Sequence, residues 1–136
     1  MALYAQTTGN QQTNSGTFVP IPGLSITLPE GVGTMAVVTL NVPNPYATGN
    51  NFPGGTFGIS VDGKVSPVQA TFTYNEQVPV STGRIPTTLV VGVELIANTT
   101  RKRGDPVGQT VQAVWFGVRG STVHLDSPAT LSAVFS

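Results

Sequence analysis

Two arginines stand among small hydroxylated residues at the ends of predicted strands. Arg84 closes the segment Ser-Thr-Gly-Arg, and Arg119 lies in the segment Val-Arg-Gly-Ser. An arginine offers N–H donors in a rigid fork, which suits a carboxylate or two neighbouring hydroxyl groups of a ligand. The structural alternative is that both side chains bind loop carbonyls or the carboxylates of Asp126 and Glu76. Spacing alone favours that alternative.

His124, the only histidine, is predicted to project from the same side of one strand as Asp126. With Ser121 or Ser127 nearby, these are the residue types of a hydrolase triad. A triad also needs a nucleophile within hydrogen-bond reach of the histidine and an oxyanion hole, and the sequence has no nucleophile-elbow motif. The pattern therefore favours a satisfied polar pair over a catalytic centre.

The residue types argue against a metal or cofactor site. The chain has no cysteine and one histidine, and its carboxylates show no ligand spacing of a known metal site. No glycine-rich phosphate loop stands between a strand and a helix. We therefore predict no metal and no cofactor. The charged run 101–103 is predicted to be a solvated hairpin loop, since three charges are too few to indicate nucleic acid.

The segment 44–55 is an uncharged stretch that carries two aromatic rings and several amides. An aromatic face packs on the C–H surface of a sugar, while amide groups bond to its hydroxyls. Tyr46, Asn50, Asn51 and Phe52 therefore suit a neutral, hydroxyl-rich ligand. The alternative is an ordered structural loop, and the residues leave both open.

The overall charge excludes two classes of partner. Six basic and six acidic residues give a net charge of zero, so no basic surface for nucleic acid or for an anionic membrane is expected. No apolar run approaches the roughly 18 residues that a membrane span needs. Residues 1–16 are polar and lack the features of a signal peptide. They are predicted to be a flexible arm or an added edge segment, with the arm favoured.

The elements that must position these residues are strands. The chain has 16 glycines and 11 prolines spread along its length, which rules out long helices. Apolar residues make up 39% of the chain, enough for a packed domain. They alternate with period two in the segments 24–28, 35–42, 56–61, 68–74, 87–96, 110–118, 121–126 and 129–135.

Eight or nine short strands separated by turn signals predict an all-β fold, a jelly-roll sandwich of two antiparallel sheets. No internal repeat or change of composition divides the chain, so residues 1–136 are predicted to form a single domain. Segment 87–96 is apolar on nearly both faces and needs cover on both. A neighbouring subunit would supply the second cover, which indicates an oligomer.

At several of these segments the chain closely resembles the N-terminal TNF-like lectin domain of the Burkholderia-type bacterial superlectins. The similarity runs from about Thr17 to Phe135, and its most specific part is the 14-residue stretch 41–54, Asn-Val-Pro-Asn-Pro-Tyr-Ala-Thr-Gly-Asn-Asn-Phe-Pro-Gly. The other shared segments are Phe-Val and Ile-Pro-Gly-Leu within 18–24, Phe-Thr-Tyr at 72–74, Ser-Thr-Gly-Arg at 81–84 with Pro86, and Val-Arg-Gly-Ser at 118–121 followed by His124, Asp126 and Ser127.

The resemblance implies a TNF-like jelly roll that forms a homotrimer. It implies binding of fucosylated oligosaccharides of the histo-blood-group type, with L-fucose as the bound unit and without a metal, at sites between adjacent protomers. Carried over by position, the carbohydrate-binding residues are Tyr46, Thr73, Tyr74, Ser81, Thr82, Arg84 and Arg119. The periphery of the site is Thr56, His124, Asp126 and Ser127. Thr73 and Tyr74 should point to opposite faces of one strand, so one of them is expected to contribute through its backbone.

The chain departs from the family pattern at a few places. Thr56 stands where the family has an aromatic residue of the sugar site, which removes an apolar contact. Val80 replaces an acidic residue just before the Ser-Thr-Gly-Arg segment, which bears on sugars beyond fucose. The loop 98–108 looks longer than in the family, and the second, calcium-dependent lectin domain of the superlectins has no counterpart in this sequence.

The predicted function is therefore non-enzymatic binding of fucosylated glycans by a homotrimer, with neither nucleic acid nor membrane insertion. The alternative is a structural jelly-roll oligomer, such as a fibre or surface protein, with a lost or different ligand. An enzyme is the weakest of the three hypotheses, and it would require turnover that depends on His124.

Overall fold

The structure is a computed structural model that describes residues 2–29, 33–95 and 108–135. Strands dominate these residues, and no helix long and apolar enough to cross a membrane occurs among them. The twelve strands of the described residues are β1 (Ala2–Gln6), β2 (Gln11–Thr13), β3 (Val19–Leu28), β4 (Met35–Val42), β5 (Pro45–Thr48), β6 (Gly54–Val61), β7 (Lys64–Val65), β8 (Ala70–Thr73), β9 (Thr87–Glu94), β10 (Gln109–Val118), β11 (Thr122–Leu125) and β12 (Thr130–Phe135).

The described strands form three sheets, and the strand pairs that build them are antiparallel. The first sheet has the order β1-β12-β4-β9. The second has the order β3-β10-β6-β7, with β8 also paired to β6, and the small third sheet has the order β2-β11-β5. The prediction of an all-β chain built from antiparallel sheets is confirmed.

One apolar core lies between the first two sheets. In β4 every second residue from Ala36 to Val42 is buried, and the residues between them face outward. Trp115 of β10 pairs with Phe57 of β6, and their ring centroids lie 6.2 Å apart within the core. Burial of a large apolar side chain contributes about 1.5–3 kcal/mol, so the period-two pattern decides which face of each strand turns inward.

The small third sheet has one buried and one outer face. Ala47 of β5 and Val123 of β11 are fully buried, whereas Tyr46 and His124, which alternate with them, are partly exposed. Tyr46 pairs with His124, and His124 pairs with Gln12 of β2. Directly opposite residues of neighbouring strands share a face, so these three side chains lie in one row on the outer face.

Part of the segment interpreted as a long loop is a strand. Pro45–Thr48 pairs with β11, and the connection to β6 covers only 49–53. The sequence did not predict this strand, because four residues are too few to show a clear alternation of apolar and polar side chains.

Strand β3 begins earlier than the sequence predicts and includes Pro20 and Pro22. Both prolines are exposed, and among the described strands β3 is an edge strand that pairs with β10 alone. Edge strands tolerate proline where the missing N–H would face away from the sheet. The register shifts between Gln112 and Val114 of β10. Gly23 lies in β3 at this shift with φ +89°, a left-handed value that glycine adopts readily.

The N-terminal residues are edge strands, and the flexible-arm interpretation is wrong. Strand β1 pairs with β12 at the edge of the first sheet, and β2 pairs with β11 at the edge of the third. Between them Thr7 is buried and exchanges two hydrogen bonds with Ala129, one from each backbone N–H, at 3.0 and 2.9 Å. The polar composition does not reveal these strands, because β1 and β2 each bury little apolar surface of their own.

The strand predicted over 87–96 is β9, which buries Leu89, Val91 and Val93. Val90 on its other face is 53% exposed, so that face lacks cover within a single chain. Ile96 and the charged loop at 101–103 lie outside the described residues.

Candidate functional site

Three side chains from distant parts of the sequence form a stack on the outer face of the small sheet. The rings of Tyr46 and His124 are nearly parallel, with 8° between their planes and 4.6 Å between their centroids. The guanidinium carbon of Arg84 lies over the Tyr46 ring, 4.0 Å from its centroid. His124 reaches Tyr46 from β11, whereas Ile85, the residue after Arg84, bonds through its backbone N–H to the carbonyl of Pro45 at the other edge of β5. Arg84 and His124 therefore approach Tyr46 from opposite sides and cover opposite faces of its ring.

The stack changes what Tyr46 offers to a ligand. The sequence predicts an aromatic face that packs on the C–H surface of a sugar. Because both faces of Tyr46 are covered, the residue presents its ring edge and its hydroxyl instead. A phenolic hydroxyl both donates and accepts hydrogen bonds, so the contribution of Tyr46 is polar.

Asp126 fixes the direction of the Arg84 guanidinium. Nη2 of Arg84 donates to Oδ2 of Asp126 over 2.5 Å, and the two side chains are 42% and 35% exposed. An ion pair this exposed adds about 0–1 kcal/mol to stability. The bond is one of those that the structural interpretation of Arg84 predicted. It occupies one N–H of the guanidinium, and the fork has further donors for a ligand.

His124 is bonded to Thr48, with 2.9 Å between Nε2 and Oγ1, although the two residues are 76 positions apart in the chain. Burial lowers the pKa of the imidazole below its ordinary value of 6.5. The positive charge of Arg84 lowers this pKa further, whereas the Asp126 carboxylate acts in the opposite direction. The imidazole is therefore neutral at neutral pH.

The residue types of a hydrolase triad are present but not assembled. Asp126 is bonded to Arg84, whereas His124 is bonded to Thr48. The hydroxyl of Ser121 donates to one backbone carbonyl and accepts one backbone N–H, and the residue is 1% exposed. The expected pairing of His124 with Asp126 is thus replaced by two separate bonds to other partners.

Tyr74 ties the segment that carries Arg84 to the small sheet. Its hydroxyl donates to the carbonyl of Gly83 over 2.6 Å and accepts the backbone N–H of Ala47 over 3.2 Å. Burial raises the pKa of this phenol above its ordinary value of 10.0, whereas the bond from Ala47 and the charge of Arg84 act in the opposite direction. The phenol therefore keeps its proton, and Tyr74 positions the residue before Arg84.

Arg119 holds the loop 49–53 through backbone carbonyls. Its Nε donates to the carbonyl of Asn51 over 3.0 Å, and its Nη2 donates to the carbonyl of Phe52 over 2.5 Å. Arg119 and Gly120 have φ values of +52° and +75°, as the two central residues of a type I′ turn do. These are the bonds to loop carbonyls that the structural alternative for Arg119 predicts, and its role in sugar binding stays a prediction.

The described residues contain no group of three His, Cys, Asp or Glu side chains placed to hold a metal ion. Metal-independent ligand binding stays a prediction, which a chelator tests.

Residues 8–134 match the family model described as the N-terminal domain of Bc2l-C. The match covers nearly the whole chain and every residue of the stack. The chain belongs to this family. The Bc2l-C N-terminal domain family is a family of lectin domains and not of enzymes, which confirms the resemblance and the prediction of a non-enzymatic protein.

Two further comparisons, with curated sequences and with solved structures, do not add to this assignment. A search of curated protein sequences returned no match. Solved structures similar to this chain include the CBM36-1 domain of a multidomain xylanase from the hindgut metagenome of Trinervitermes trinervoides, with 13% identity and a TM-score of 0.46 over 100% of this chain and 98% of that chain. A likeness at this identity does not transfer a function.

The predicted carbohydrate-binding residues of this chain fall into two groups. The first group contains the members of the stack and the residues bonded to its segments, Tyr46, Tyr74, Arg84, His124 and Asp126. Ser81, Thr82 and Ser127 stand next to these residues in the sequence. The second group is Thr73, whose exposed side chain belongs to the strand β8 paired with the start of β6, and Arg119. No hydrogen bond, ion pair or ring contact joins side chains of the two groups in the described part of the chain.

The two departures from the family pattern occupy opposite environments. Thr56 is 3% exposed, and its hydroxyl lies 2.8 Å from the hydroxyl of Thr71, so its side chain does not reach the surface that the first group shares. Val80 is 97% exposed next to Ser81. An apolar side chain this exposed stands where the resemblance predicts an acidic residue.

Sequence reasoning missed the residues that β2 brings to the site. A cavity of about 390 Å³ opens beside the stack. Its polar lining comprises Asn10, Gln11, Gln12, Tyr46, His124 and Asp126. The amides gave no signal in the sequence, because they lie in the segment interpreted as an arm and reach His124 only through strand pairing.

Proposed function

We propose that this chain is a lectin for fucosylated oligosaccharides of the histo-blood-group type, with L-fucose as the bound unit. Membership of a lectin-domain family supports the binding of a glycan. The observation that carries the proposal is that Arg84 is held between the Tyr46 ring and the Asp126 carboxylate and yet remains 42% exposed. A cation held in one orientation loses little side-chain entropy when it donates to a ligand's hydroxyls.

The same geometry supports a site completed by a second protomer. Fucose has hydroxyls on one edge and a methyl group on another. The first group supplies polar atoms, but both faces of Tyr46 are covered and the Tyr74 hydroxyl makes two bonds within the chain. We assign the apolar contact to a neighbouring protomer, whose loop 49–53 presents Phe52, 41% exposed, beside Arg119.

An uncovered apolar face supports the homotrimer. In β4 and β9 the residues that alternate with the core point away from it, on the outer face of the first sheet. Large apolar side chains on this face are 39% to 63% exposed, and further copies of the chain are the occupants that we propose. We call this surface the β4 face; its apolar residues are Tyr4, Met35, Val37, Val90 and Val134.

The strand order supports the TNF-like jelly roll. With the short strands β2, β5, β7 and β11 set aside, eight strands remain along the described chain. Renumbered from one to eight, they form the sheets 1-8-3-6 and 2-7-4-5. This is the order that two interleaved Greek keys produce in a jelly roll.

A glycan array that carries fucosylated and fucose-free glycans tests the proposal. We expect binding to fucosylated glycans alone, with and without EDTA, because the site is built from a guanidinium, hydroxyls and amides. The alternative is a structural oligomer without a glycan ligand, and the observation that favours it is the use of Arg119 on loop carbonyls. An intact oligomer that binds no glycan on the array would contradict the proposal and support that alternative.

A further inference from the structure

His124 is the group through which acid can act on the candidate site. Histidine is the only side chain whose ordinary pKa places its change of charge between about pH 5 and 8, and the chain contains one histidine. A change of behaviour over this range can therefore be assigned to a single ring. That ring is stacked on Tyr46 at 4.6 Å, within the arrangement that holds Arg84.

Among the described residues, two charged groups of opposite sign face the His124 ring. The guanidinium of Arg84 lies across Tyr46, 4.0 Å from its centroid. It is thus within about 9 Å of the imidazole, close to the screening length of about 8 Å at physiological ionic strength. The carboxylate of Asp126 lines the same cavity as His124. The titratable phenol of Tyr46 faces the ring from β5, and β2 contributes the uncharged amide of Gln12.

The Asp126 carboxylate can serve either of two cations. Its Oδ2 accepts the bond from Arg84. Asp126 also stands two residues after His124 in extended chain, so both side chains project to the same side. The bond between His124 and Thr48 survives protonation, because a hydroxyl can accept as well as donate. Protonation of the ring therefore adds a charge and an N–H donor beside a carboxylate that Arg84 already uses.

We infer that His124 makes the glycan site sensitive to acid: its protonation draws the Asp126 carboxylate from Arg84 and repels the guanidinium, so that fucose affinity falls. The inference rests on the proposed function, because it names the regulation of the Arg84 site. Neutral His124 leaves the ion pair of Arg84 and Asp126 undisturbed, and the guanidinium keeps the orientation in which it donates to a ligand.

The sign of the pH dependence follows from which form of the ring binds better. Fucose affinity is fully present above the pKa of His124 in the free protein, and it is lost as the pH falls through that pKa. Burial and the charge of Arg84 lower this pKa from 6.5, so the loss begins below pH 6.5. Linkage is reciprocal, so bound fucoside should lower the pKa of His124 further.

Calorimetry with methyl α-L-fucoside at pH 7.5 and 5.0 tests the switch on the full chain in its native oligomer. Light scattering at both pH values confirms that the oligomer is intact. We expect binding to be about two- to fivefold weaker at pH 5.0, the effect of one unit charge at this distance near a protein surface. NMR titration of His124 with and without saturating fucoside measures the reciprocal change in its pKa.

Three variants make the test specific. His124→Gln keeps a polar side chain without the titration, so its fucoside affinity should be equal at the two pH values. Asp126→Asn removes the carboxylate that favours the imidazolium, so its affinity should change less than that of the parent, and it decides the question if His124→Gln is unstable. Glu76→Gln removes an exposed carboxylate outside the cavity lining. This control should keep the full pH dependence of the parent.

The outcomes separate the two proposals. A parent that binds fucoside equally at both pH values would overturn the switch and leave the proposed function standing. A full pH effect in His124→Gln or Asp126→Asn would do the same. A parent that binds no fucoside at pH 7.5 would overturn the proposed function and the switch with it. A loss at pH 5.0 in the parent and Glu76→Gln, reduced in the other two variants, supports both.

Discussion

The rings of Tyr46 and His124 lie face to face, 4.6 Å apart, while Arg84 covers the opposite face of the Tyr46 ring. The Tyr46 ring thus lies between the guanidinium of Arg84, which is always charged, and the imidazole of His124. Protonation of His124 would place a positive charge on each side of the same ring. The electrostatic repulsion and the partial burial of the imidazole both favour its neutral form.

The stability of the protein should therefore depend on pH through His124. The pKa of His124 in the folded state is lowered from 6.5, so the unfolded chain takes up the proton first as the pH falls. The stabilisation is fully present above the unfolded pKa and is lost as the pH falls from about 6.5 through the folded pKa. Urea unfolding between pH 7.5 and 5.0 measures the decline, and NMR titration of the ring gives the folded pKa.

His124→Gln provides the control for that measurement, because it keeps a polar side chain but removes the titration. We expect the free energy of unfolding of this variant to change less over the same pH range. Parallel curves for the variant and the parent would contradict the assignment to His124.

Removal of the Arg84 guanidinium should weaken fucose binding. A hydrogen bond from a charged donor contributes on the order of 1.5–3 kcal/mol, so Arg84→Ala should weaken binding of methyl α-L-fucoside roughly tenfold to a hundredfold. Arg84→Lys keeps the charge without the fork and should fall between the parent and Arg84→Ala. Calorimetry on folded oligomers measures both, and parent-like binding by both variants would show that Arg84 is purely structural.

Arg119 should stabilise the loop 49–53 in spite of its backbone conformation. Its φ of +52° costs a non-glycine residue about 1–2 kcal/mol, and the same cost remains in Arg119→Ala, which also loses the carbonyl bonds. Arg119→Gly also loses these bonds, but glycine adopts a positive φ without that cost. We expect Arg119→Gly to be more stable than Arg119→Ala by about 1 kcal/mol in urea unfolding. Equal stability of the two variants would contradict the left-handed conformation at this turn.

A charge on the β4 face should separate the protomers. Val37 lies on this face and is 47% exposed in the single chain, so Val37→Glu leaves the core of the protomer untouched. In the proposed trimer the new carboxylate would be buried without a partner, which is strongly unfavourable. Light scattering at micromolar concentration should show a trimer for the parent and a monomer for Val37→Glu.

Val68→Glu is the matched control, because Val68 is also 47% exposed but lies between β7 and β8, away from the β4 face. This variant should remain a trimer. A monomeric parent, or a trimeric Val37→Glu variant, would contradict the proposed interface.

The sequence by itself determined the class of fold and the family. The alternation of residues 35–42 predicted the strand that the structure shows as Met35–Val42. This pattern can be read from the sequence because the inward and outward residues of a strand alternate along the chain and differ in hydrophobicity. The stretch 41–54 carried the resemblance to the lectin domain, which the match over residues 8–134 confirms. The sequence also indicated two possible sets of partners for Arg84 and Arg119, either a ligand or the carbonyls and carboxylates of the protein itself.

Only the tertiary structure decided how these residues meet. Arg84 and Asp126 are 42 positions apart and share a bond, Tyr46 has both faces covered, and Gln12 stands opposite His124 through the pairing of β2 with β11. Periodicity predicts which residues face inward but not which strands become neighbours, because pairing between distant strands depends on the packing of the whole chain. The sequence therefore supplied the residue types of the site, and strand pairing supplied the row that joins Gln12, His124 and Tyr46.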